Sequence, residues 1–349
     1  MVEWKKLGEV SNLVRGKVIS KDYIRQFGGE YPVYSSQTAN NGILGCINSY
    51  MFNGDYLTWT TDGAYAGTIF RRNGKFNITN VCGLIDITNE KVNQDFLYYW
   101  LSKVAKNYVM EGMGNPKLMS NVASTIQIPI PSLSEQNRIV GILDTFTDSI
   151  ENLKQQIAQR RKQYEFYRDQ LLDLEGKEGV EMLKLREACE IRRGIRVVKK
   201  QLKENAQYPV FQNSIAPMGY YDQFNRNGNM PYIICAGSSS GSVGYCCTPF
   251  WAADDCFTIE SSKVNIRYTY YALKKNNNNL FRLVRKGSMP RLPHEAIDNM
   301  VIPIPSLGEQ QRIVSILDTF EASISNLEAQ LSQRQKQYEY YRNKLLTFD

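Results

Sequence analysis

Forty-six residues of this chain occur twice. Residues 128–173 and 302–347 align without a gap at a constant offset of 174, and 31 of the 46 positions are identical. A period of about half the 349-residue chain is too long for a solenoid repeat, so the chain is two copies of one large unit. The copying continues upstream in islands. Trp4-Lys5-Lys6-Leu7-Gly8-Glu9 with Arg15-Gly16 matches Leu183-Lys184-Leu185-Arg186-Glu187 with Arg193-Gly194. Tyr31-Pro32-Val33-Tyr34 matches Tyr208-Pro209-Val210-Phe211, and Gly114-Asn115-Pro116-Lys117-Leu118 matches Ser288-Met289-Pro290-Arg291-Leu292. Between the islands the copies differ almost completely. A nearly fixed part therefore follows a variable part, twice, which divides the chain into residues 1–131, 132–176, 177–305 and 306–349.

The fixed part reads as a helix. Ser132 and Glu135, like Ser306 and Glu309, have the spacing of a capping box, in which the hydroxyl and the carboxylate each satisfy an early backbone N–H. Pro131 and Pro305 mark the end of an extended Ile-Pro-Ile-Pro segment. From there apolar residues step by four and three: Ile139, Leu143, Phe146, Ile150, Leu153, Ile157, Tyr164, Tyr167 and Leu171, then Ile313, Leu317, Phe320, Ile324, Leu327, Leu331, Tyr338, Tyr341 and Leu345. This is a heptad seam with one polar interruption in each copy, Arg160 and Arg334. The arginines either set register or pass their stems across the seam with the charge in water. About 40 residues make a helix on the order of 60 Å long, and a seam of that length needs cover. Antiparallel pairing of the two helices supplies it and puts the two globular parts at opposite ends of a rod; pairing with the same helix of a second molecule is the alternative.

The variable parts show short strand-like runs, among them 31–34, 55–59, 67–70 and 83–87, with short helices expected at Phe96–Leu101 and Tyr268–Leu273. The fold class is α+β: two similar strand-rich globular domains separated by two long antiparallel coiled-coil helices, with a pseudo-twofold internal repeat. Several loops have the side chains that pair with base edges or phosphates. Ser35, Ser36, Gln37 and Asn40 correspond to Gln212 and Asn213; Thr60 and Thr61 correspond to Ser238, Ser239 and Ser240. Asn115 and Lys117, in a loop that begins at Gly112-Met113, correspond to Arg285, Lys286 and Arg291. Arg71 with Arg72, and Lys274 with Lys275, are candidate phosphate clamps. A solvated turn has the same composition; it is the recurrence at equivalent positions that favours a role.

Charge supports this division. The variable parts carry net +3 and +7, the helical parts −2 and −1, which suits globular parts that meet phosphate and helices that do not. Catalytic signatures are missing. There is one histidine, His294, with no counterpart in the other copy, no phosphate-binding G-x-x-x-x-G-K-[ST], and no Asn/Asp-Pro-Pro-Tyr/Phe of amino-methyltransferases. The sequence thus implies no cofactor and no metal. Seven cysteines without a C-x-x-C pair, Cys82 and Cys256 at matching positions, no apolar run of membrane length and no signal-like N-terminus read as a reduced cytoplasmic protein.

The doubled motif resembles the specificity subunit of type I restriction–modification systems. The resemblance rests on Ile128-Pro-Ile-Pro-Ser-Leu-x-Glu-Gln136, Arg138-Ile139, Leu143-Asp144, Tyr164-Glu-x-Tyr167-Arg168 and Leu171-Leu172, repeated from Ile302 to Leu346. It implies that each globular part is a target recognition domain reading one half of a bipartite asymmetric site on double-stranded DNA. It implies further that the helices fix the spacer and dock two modification (methyltransferase) subunits, which carry S-adenosylmethionine, with restriction (motor–nuclease) subunits as further partners. The subunit itself is then not an enzyme. A coiled-coil adaptor displaying two protein-binding modules is the competing reading.

Overall fold

A computed structural model describes residues 2–111 and 114–348. Gly112 and Met113, at the start of the glycine-bearing loop above, lie outside the described residues. The chain forms two compact units, Met1–Asn152 with Leu331–Asp349, and Leu153–Gln330. Each unit therefore holds one globular part, the first half of one long helix and the second half of the other.

In the first unit the Ile-Pro-Ile segment becomes the strand Gln127–Ile130, paired antiparallel with Glu3–Lys6 so that Glu3 faces Ile130 and Lys6 faces Gln127. Pro129 is tolerated because this is a two-stranded ribbon with an open edge. A four-stranded antiparallel sheet follows, in the order Ser11–Arg15, Cys82–Ile87, Tyr56–Thr60, Ile69–Arg72. Its buried face, with Leu57, Trp59 and Ile85, packs on Phe96, Leu97 and Leu101 of the helix Gln94–Val104. That helix starts where the Asn93 side chain accepts from the Phe96 N–H at 2.9 Å, an N-cap of ordinary kind. A second four-stranded sheet has the order Ile43–Ile47, Gly28–Tyr34, Lys75–Ile78, Phe52–Asn53.

The second unit repeats this plan. Glu181–Lys184 pairs with Val301–Ile304, the main sheet runs Glu190–Arg193, Cys256–Glu260, Met230–Ile234, Val243–Cys246, and Asn265 caps the helix Ile266–Lys275. Among the described residues its second sheet has three strands, Gly219–Tyr221, Tyr208–Phe211 and Trp251–Ala252, and the short helices differ as well, with Lys21–Gln26 in the first unit and Asn277–Leu283 in the second. The repeated Arg-Gly pairs have a steric cause. A Cβ on Gly16 would stand 2.1 Å from the Ile78 carbonyl oxygen, and one on Gly194 would stand 2.1 Å from that of Ala253. The Cys82 and Cys256 thiols are free and buried, and burial pushes Cys82 up to about 11.

The fixed segments are the helices Leu133–Leu171 and Leu307–Leu345. Every residue of the expected seam is buried or half-buried apart from Tyr167 and Tyr341, whose rings stack across it. In the first unit Ile139 and Leu143 share a core with Tyr338, Leu345 and Leu346, and Phe146 stacks on Tyr341 with centroids 5.2 Å apart. In the second, Ile313 and Leu317 share a core with Tyr164 and Leu171, and Tyr167 stacks on Phe320 at 5.4 Å. Arg161 bonded to Glu328 (2.5 Å) and Tyr164 to Glu321 (3.3 Å) show the two helices running antiparallel. The two seam arginines take neither expected role alone: Arg160 lies over the Phe320 ring and Arg334 over that of Phe146, at 5.8 and 5.6 Å. A cation–π contact thus fills each polar interruption.

The capping box forms only by half. Ser132 and Ser306 accept from the Glu135 and Glu309 N–H groups, but the carboxylates turn forward to make two-pronged bonds with Arg138 and Arg312. A charge-assisted bidentate pair three residues on outcompetes one bond to a backbone amide. The next residue anchors each helix to its domain. Gln136, fully buried, donates to the Lys91 and Pro131 carbonyls and accepts from the Asn93 N–H, all at 2.8 Å. Gln310 repeats the contacts to Pro305 and Asn265. No helix among the described residues is long and apolar enough to cross a membrane.

Replacing Gln136 by Ala orphans the Asn93 N–H and the Lys91 carbonyl. The expected cost is about 1–3 kcal/mol in unfolding free energy, read by urea denaturation, while Asn137→Ala next to it, on the exposed side, costs under about 1 kcal/mol.

Candidate nucleic-acid interface

The main sheet of each unit ends in a turn that displays the loops singled out in the sequence. In the first unit Gly63 and Gly67 bound the turn after Tyr56–Thr60, both at positive φ (92° and 80°), which glycine alone adopts freely. The Gly63 N–H donates to the Pro116 carbonyl at 2.9 Å and the Leu118 N–H to that of Thr61 at 2.9 Å. The segment bearing Asn115 and Lys117 therefore lies directly against this turn. Asp62 stands 3.9 Å from both the Lys117 ammonium and the Arg15 guanidinium. Arg15 Nε donates to the Asn80 carbonyl at 3.1 Å, and the neighbouring Thr79 hydroxyl donates to Ser35 Oγ at 3.1 Å. Four chain segments thus meet on one face: 35–42, 62–67, 79–80 and 114–117.

The second unit builds its equivalent from different residues. The Gly237 N–H and the Ser240 hydroxyl both donate to the Pro290 carbonyl at 2.9 Å, and Arg285 and Arg291 exchange backbone bonds. Arg291 lies 3.4 Å from Asp255, and Arg193 Nε donates to the Asp254 carbonyl at 2.8 Å. An open groove beside these loops is lined by Arg196, Lys199, Gln212, Asn213 and Ser214. Exposed cations dominate: Arg193, Arg196, Lys199, Lys200, Arg285, Lys286 and Arg291.

The individual candidates divide. Asn40, Asn115, Lys117, Asn213, Ser238, Arg285, Lys286 and Arg291 are exposed, and Ser35, Ser36, Gln37, Gln212 and Ser239 are half-exposed. Asn40 is the first of three successive residues at positive φ, with Asn41 and Gly42. Gln37 spends its amide on the Ile43 carbonyl. Thr60, Thr61 and Ser240 are buried. The two threonine hydroxyls donate to the Tyr65 carbonyl and to Asp62, and so shape the turn from inside.

The four clamp candidates are engaged within their own domains, which corrects the sequence reading. Arg72 is only 3% exposed. Its guanidinium lies 3.6 Å over the Tyr34 ring and donates to Thr58 Oγ1 and the Asn41 carbonyl. Burial depresses its pKa, and Nη2 has no acceptor among the described residues. Arg71 is ion-paired with Asp95 and Asp144. Lys275 donates to the Leu172 carbonyl at 2.9 Å, where a cation suits the end of the first long helix. Lys274 is half-buried beside Tyr270, and burial lowers its pKa.

Sequence reasoning missed Arg15, Lys17, Arg193, Arg196, Lys199 and Lys200 as members of this face. The signal was present: the twice-written Arg-Gly, and five cations between residues 192 and 200. Among the described residues no cluster of His, Cys, Asp and Glu could hold a metal ion.

Each of the two strand-rich units thus carries a polar, cation-bearing loop face of the kind a nucleic-acid-binding protein presents. The model of the type I restriction modification DNA specificity domain matches residues 1–160 and again 177–336, and the chain belongs to that family. It is similar to a type I specificity subunit of Mycoplasma pneumoniae, 33% identical over 97% of this chain and 96% of the relative. A second specificity-subunit relative from the same organism is 43% identical but covers 48% of this chain and 94% of its own length. Among solved structures, the S subunit of a type I system from M. genitalium has a TM-score of 0.76 at 17% identity, covering 100% of this chain and 97% of that one. The chain is thus a DNA target-recognition subunit; subunits of this kind are non-catalytic, the enzymatic activity lying in other subunits.

Arg72→Ala is expected to lower the unfolding free energy by about 2–4 kcal/mol, because it removes a buried, stacked and hydrogen-bonded side chain. Lys286→Ala leaves the denaturation midpoint unchanged. Equal effects of the two on stability would mean that Arg72 and Lys286 do not differ as inner and outer cations.

Proposed function

We propose that each unit reads one half of a bipartite, asymmetric site on double-stranded DNA. The supporting observation is the doubled loop face: the same backbone positions meet in both units, carrying unrelated side chains. Two heads of one design but different chemistry suit two different half-sites. Exposed Asn, Gln and Ser groups are fitted to base edges, and the surrounding Arg and Lys groups to phosphates. Arg15, Lys17 and Lys117 in the first unit, and Arg193, Arg196, Lys199, Arg285, Lys286 and Arg291 in the second, are the phosphate and base ligands of this reading. It leaves out Arg71, Arg72, Lys274 and Lys275.

The paired helices act as the ruler that sets the spacer between half-sites, and two methyltransferase subunits dock on them. Support for docking comes from apolar residues left uncovered at repeat-equivalent positions. Phe166 and Tyr340 are 63% and 60% exposed, and Leu133 and Leu307 are 45% and 63% exposed. Identical placement in both copies suits two identical partners, as does the fidelity with which the helices are repeated. Restriction subunits would join through the methyltransferases, and the assembly would work in the cytoplasm on the genome.

Exchanging residues 1–131 for those of another family member, with the methyltransferase partner co-expressed, is expected to change one half of the methylated motif and leave the other half and the spacer intact. A change in both halves, or in neither, would refute the division of labour. Lys286→Ala and Arg291→Ala are each expected to weaken duplex binding by the assembled complex and to reduce the slope of log K against log salt by about 1. An adaptor that binds only protein would give no salt-dependent duplex affinity to lose. Phe166→Ala and Tyr340→Ala are each expected to weaken capture of one methyltransferase subunit by about tenfold, measured by titration calorimetry.

A further inference from the structure

Each unit ties its globular part to a long helix through one guanidinium, and the two units draw that guanidinium from different elements. In the first unit Arg71, on the strand Ile69–Arg72, pairs with Asp95 of the helix Gln94–Val104 at 2.7 Å and with Asp144 of the long helix at 3.1 Å. Its guanidinium carbon lies 4.3 Å from the Tyr98 ring centroid and 4.9 Å from that of Tyr99. The Tyr99 hydroxyl donates to the same Asp144 oxygen at 2.6 Å. In the second unit Arg267, on the helix Ile266–Lys275, pairs with Asp318 at 2.7 Å and Glu321 at 2.6 Å, both on the long helix. It lies 4.4 Å from the Tyr245 ring, and the Tyr271 hydroxyl donates to Asp318.

The repeat shows what has been exchanged. Asp144 corresponds to Asp318, and Tyr99 to Tyr271. Position 71 corresponds to Tyr245, position 95 to Arg267, and Thr147 to Glu321. Strand Arg with helix Asp in one copy has become strand Tyr with helix Arg in the other. The lost Asp95 carboxylate is replaced by Glu321. Both clasps end with one guanidinium, two carboxylates, a tyrosine hydroxyl on the shared aspartate and rings against the cation. Burial works against the charge of Arg71, yet Asp95, Tyr99 and Asp144 outweigh it and hold its pKa above the ordinary value; Arg267 is held higher in the same way. Two routes to one arrangement point to the arrangement itself, rather than either arginine, as the thing retained.

We propose that these clasps are positioning devices: they fix the angle at which each reading domain is held on its helix, and thereby the spacer length the protein accepts. This rests on the reading of the units as DNA half-site readers. A ring-backed guanidinium that bridges two carboxylates suits the task because its planar fork fixes direction as well as distance, and alignment error in a reading head is multiplied over the length of the helix.

The test uses the full chain with its methyltransferase partner and two readouts. Arg71→Tyr breaks the first clasp, and the triple variant Arg71→Tyr, Asp95→Arg, Thr147→Glu writes the second unit's clasp into the first. Methylation is measured on duplexes with fixed half-sites and spacers one base pair longer or shorter than the preferred one. Amide exchange of residues 94–104 is measured on the same proteins without DNA. For Arg71→Tyr we expect about a tenfold gain in relative methylation of the wrong spacers, with unchanged half-site preference, and faster exchange of the 94–104 helix. The triple variant returns both to the parent values. Faster exchange with undiminished spacer selectivity would make the clasp merely structural and overturn the proposal, as would a triple variant no better than the single. Failure of the parent complex to methylate any two-part duplex would instead sink the half-site reading, and the exchange arm alone would then decide whether the two clasps are interchangeable.

Discussion

The rest of the molecule hangs on the need to cover a long apolar seam. A helix of 39 residues cannot bury one face against a domain of ordinary size along its whole length, so it requires a second helix. The seam residues nearest the globular parts, Ile139 and Leu143, and Ile313 and Leu317, are fully buried; each contributes about 1.5–3 kcal/mol by leaving water. They pack on the partner helix and on the domain core at once. Further along, the stacks Phe146–Tyr341 and Tyr167–Phe320 and the overlying Arg334 and Arg160 take over. Register is therefore fixed by shape at one end of each seam half and by ring geometry at the other. The buried Gln136 and Gln310, bonded to the backbone that precedes the helices carrying Tyr99 and Tyr271, then carry that register into the domains.

This part of the fold was legible in the sequence because it obeys a period. Heptad spacing named the seam residues, proline placement named the strand that precedes each helix, and the repeat made the two pairing partners each other. The strand-like runs 31–34, 55–59 and 83–87 fall on the strands Gly28–Tyr34, Tyr56–Thr60 and Cys82–Ile87, while 67–70 meets only the first half of Ile69–Arg72. What could not be read was the direction in which a polar side chain spends its bonds. Glu135 has the spacing of a capping box and instead pairs with Arg138. Arg71 and Arg72 look alike as neighbours, yet strand alternation sends one against the helix Gln94–Val104 and the other beneath Tyr34. Lys275 resembles a surface cation and sits on the Leu172 carbonyl. For Glu135 the deciding partner lies one turn along the same helix; for Arg71, Arg72 and Lys275 it lies on an element brought close only by tertiary packing.

For the candidate site, loop membership was legible and chemistry within loops was not. The recurrence of loops at equivalent positions selected 35–40, 60–63 and 114–117 and their counterparts, and the structure brings those segments together in each unit. Within them Thr60, Thr61 and Ser240 face inward: Thr60 and Ser240 donate to the Tyr65 and Pro290 carbonyls, which buried backbone oxygens require, and Thr61 donates to the Asp62 carboxylate. The Arg-Gly pairs were visible as repeated letters. Their meaning needed the 2.1 Å approach of the glycine to the opposite backbone, which carries the arginine onto the loop face.

The way the helices are shared also sets an order of assembly. The second unit, Leu153–Gln330, is one continuous stretch of chain. The first is split, and its core includes Leu346 and packs against Leu345 and Phe348, with Phe348 against the Phe96 and Trp100 rings. During synthesis the later-made unit can close as soon as its own residues have emerged. The first-made one keeps an open apolar face until Leu345, Leu346 and Phe348 arrive, a contact separation of more than two hundred residues that slows closure. The N-terminal unit is thus the later of the two to be completed, and in the interval its uncovered apolar face is the part of the chain most exposed to misassociation.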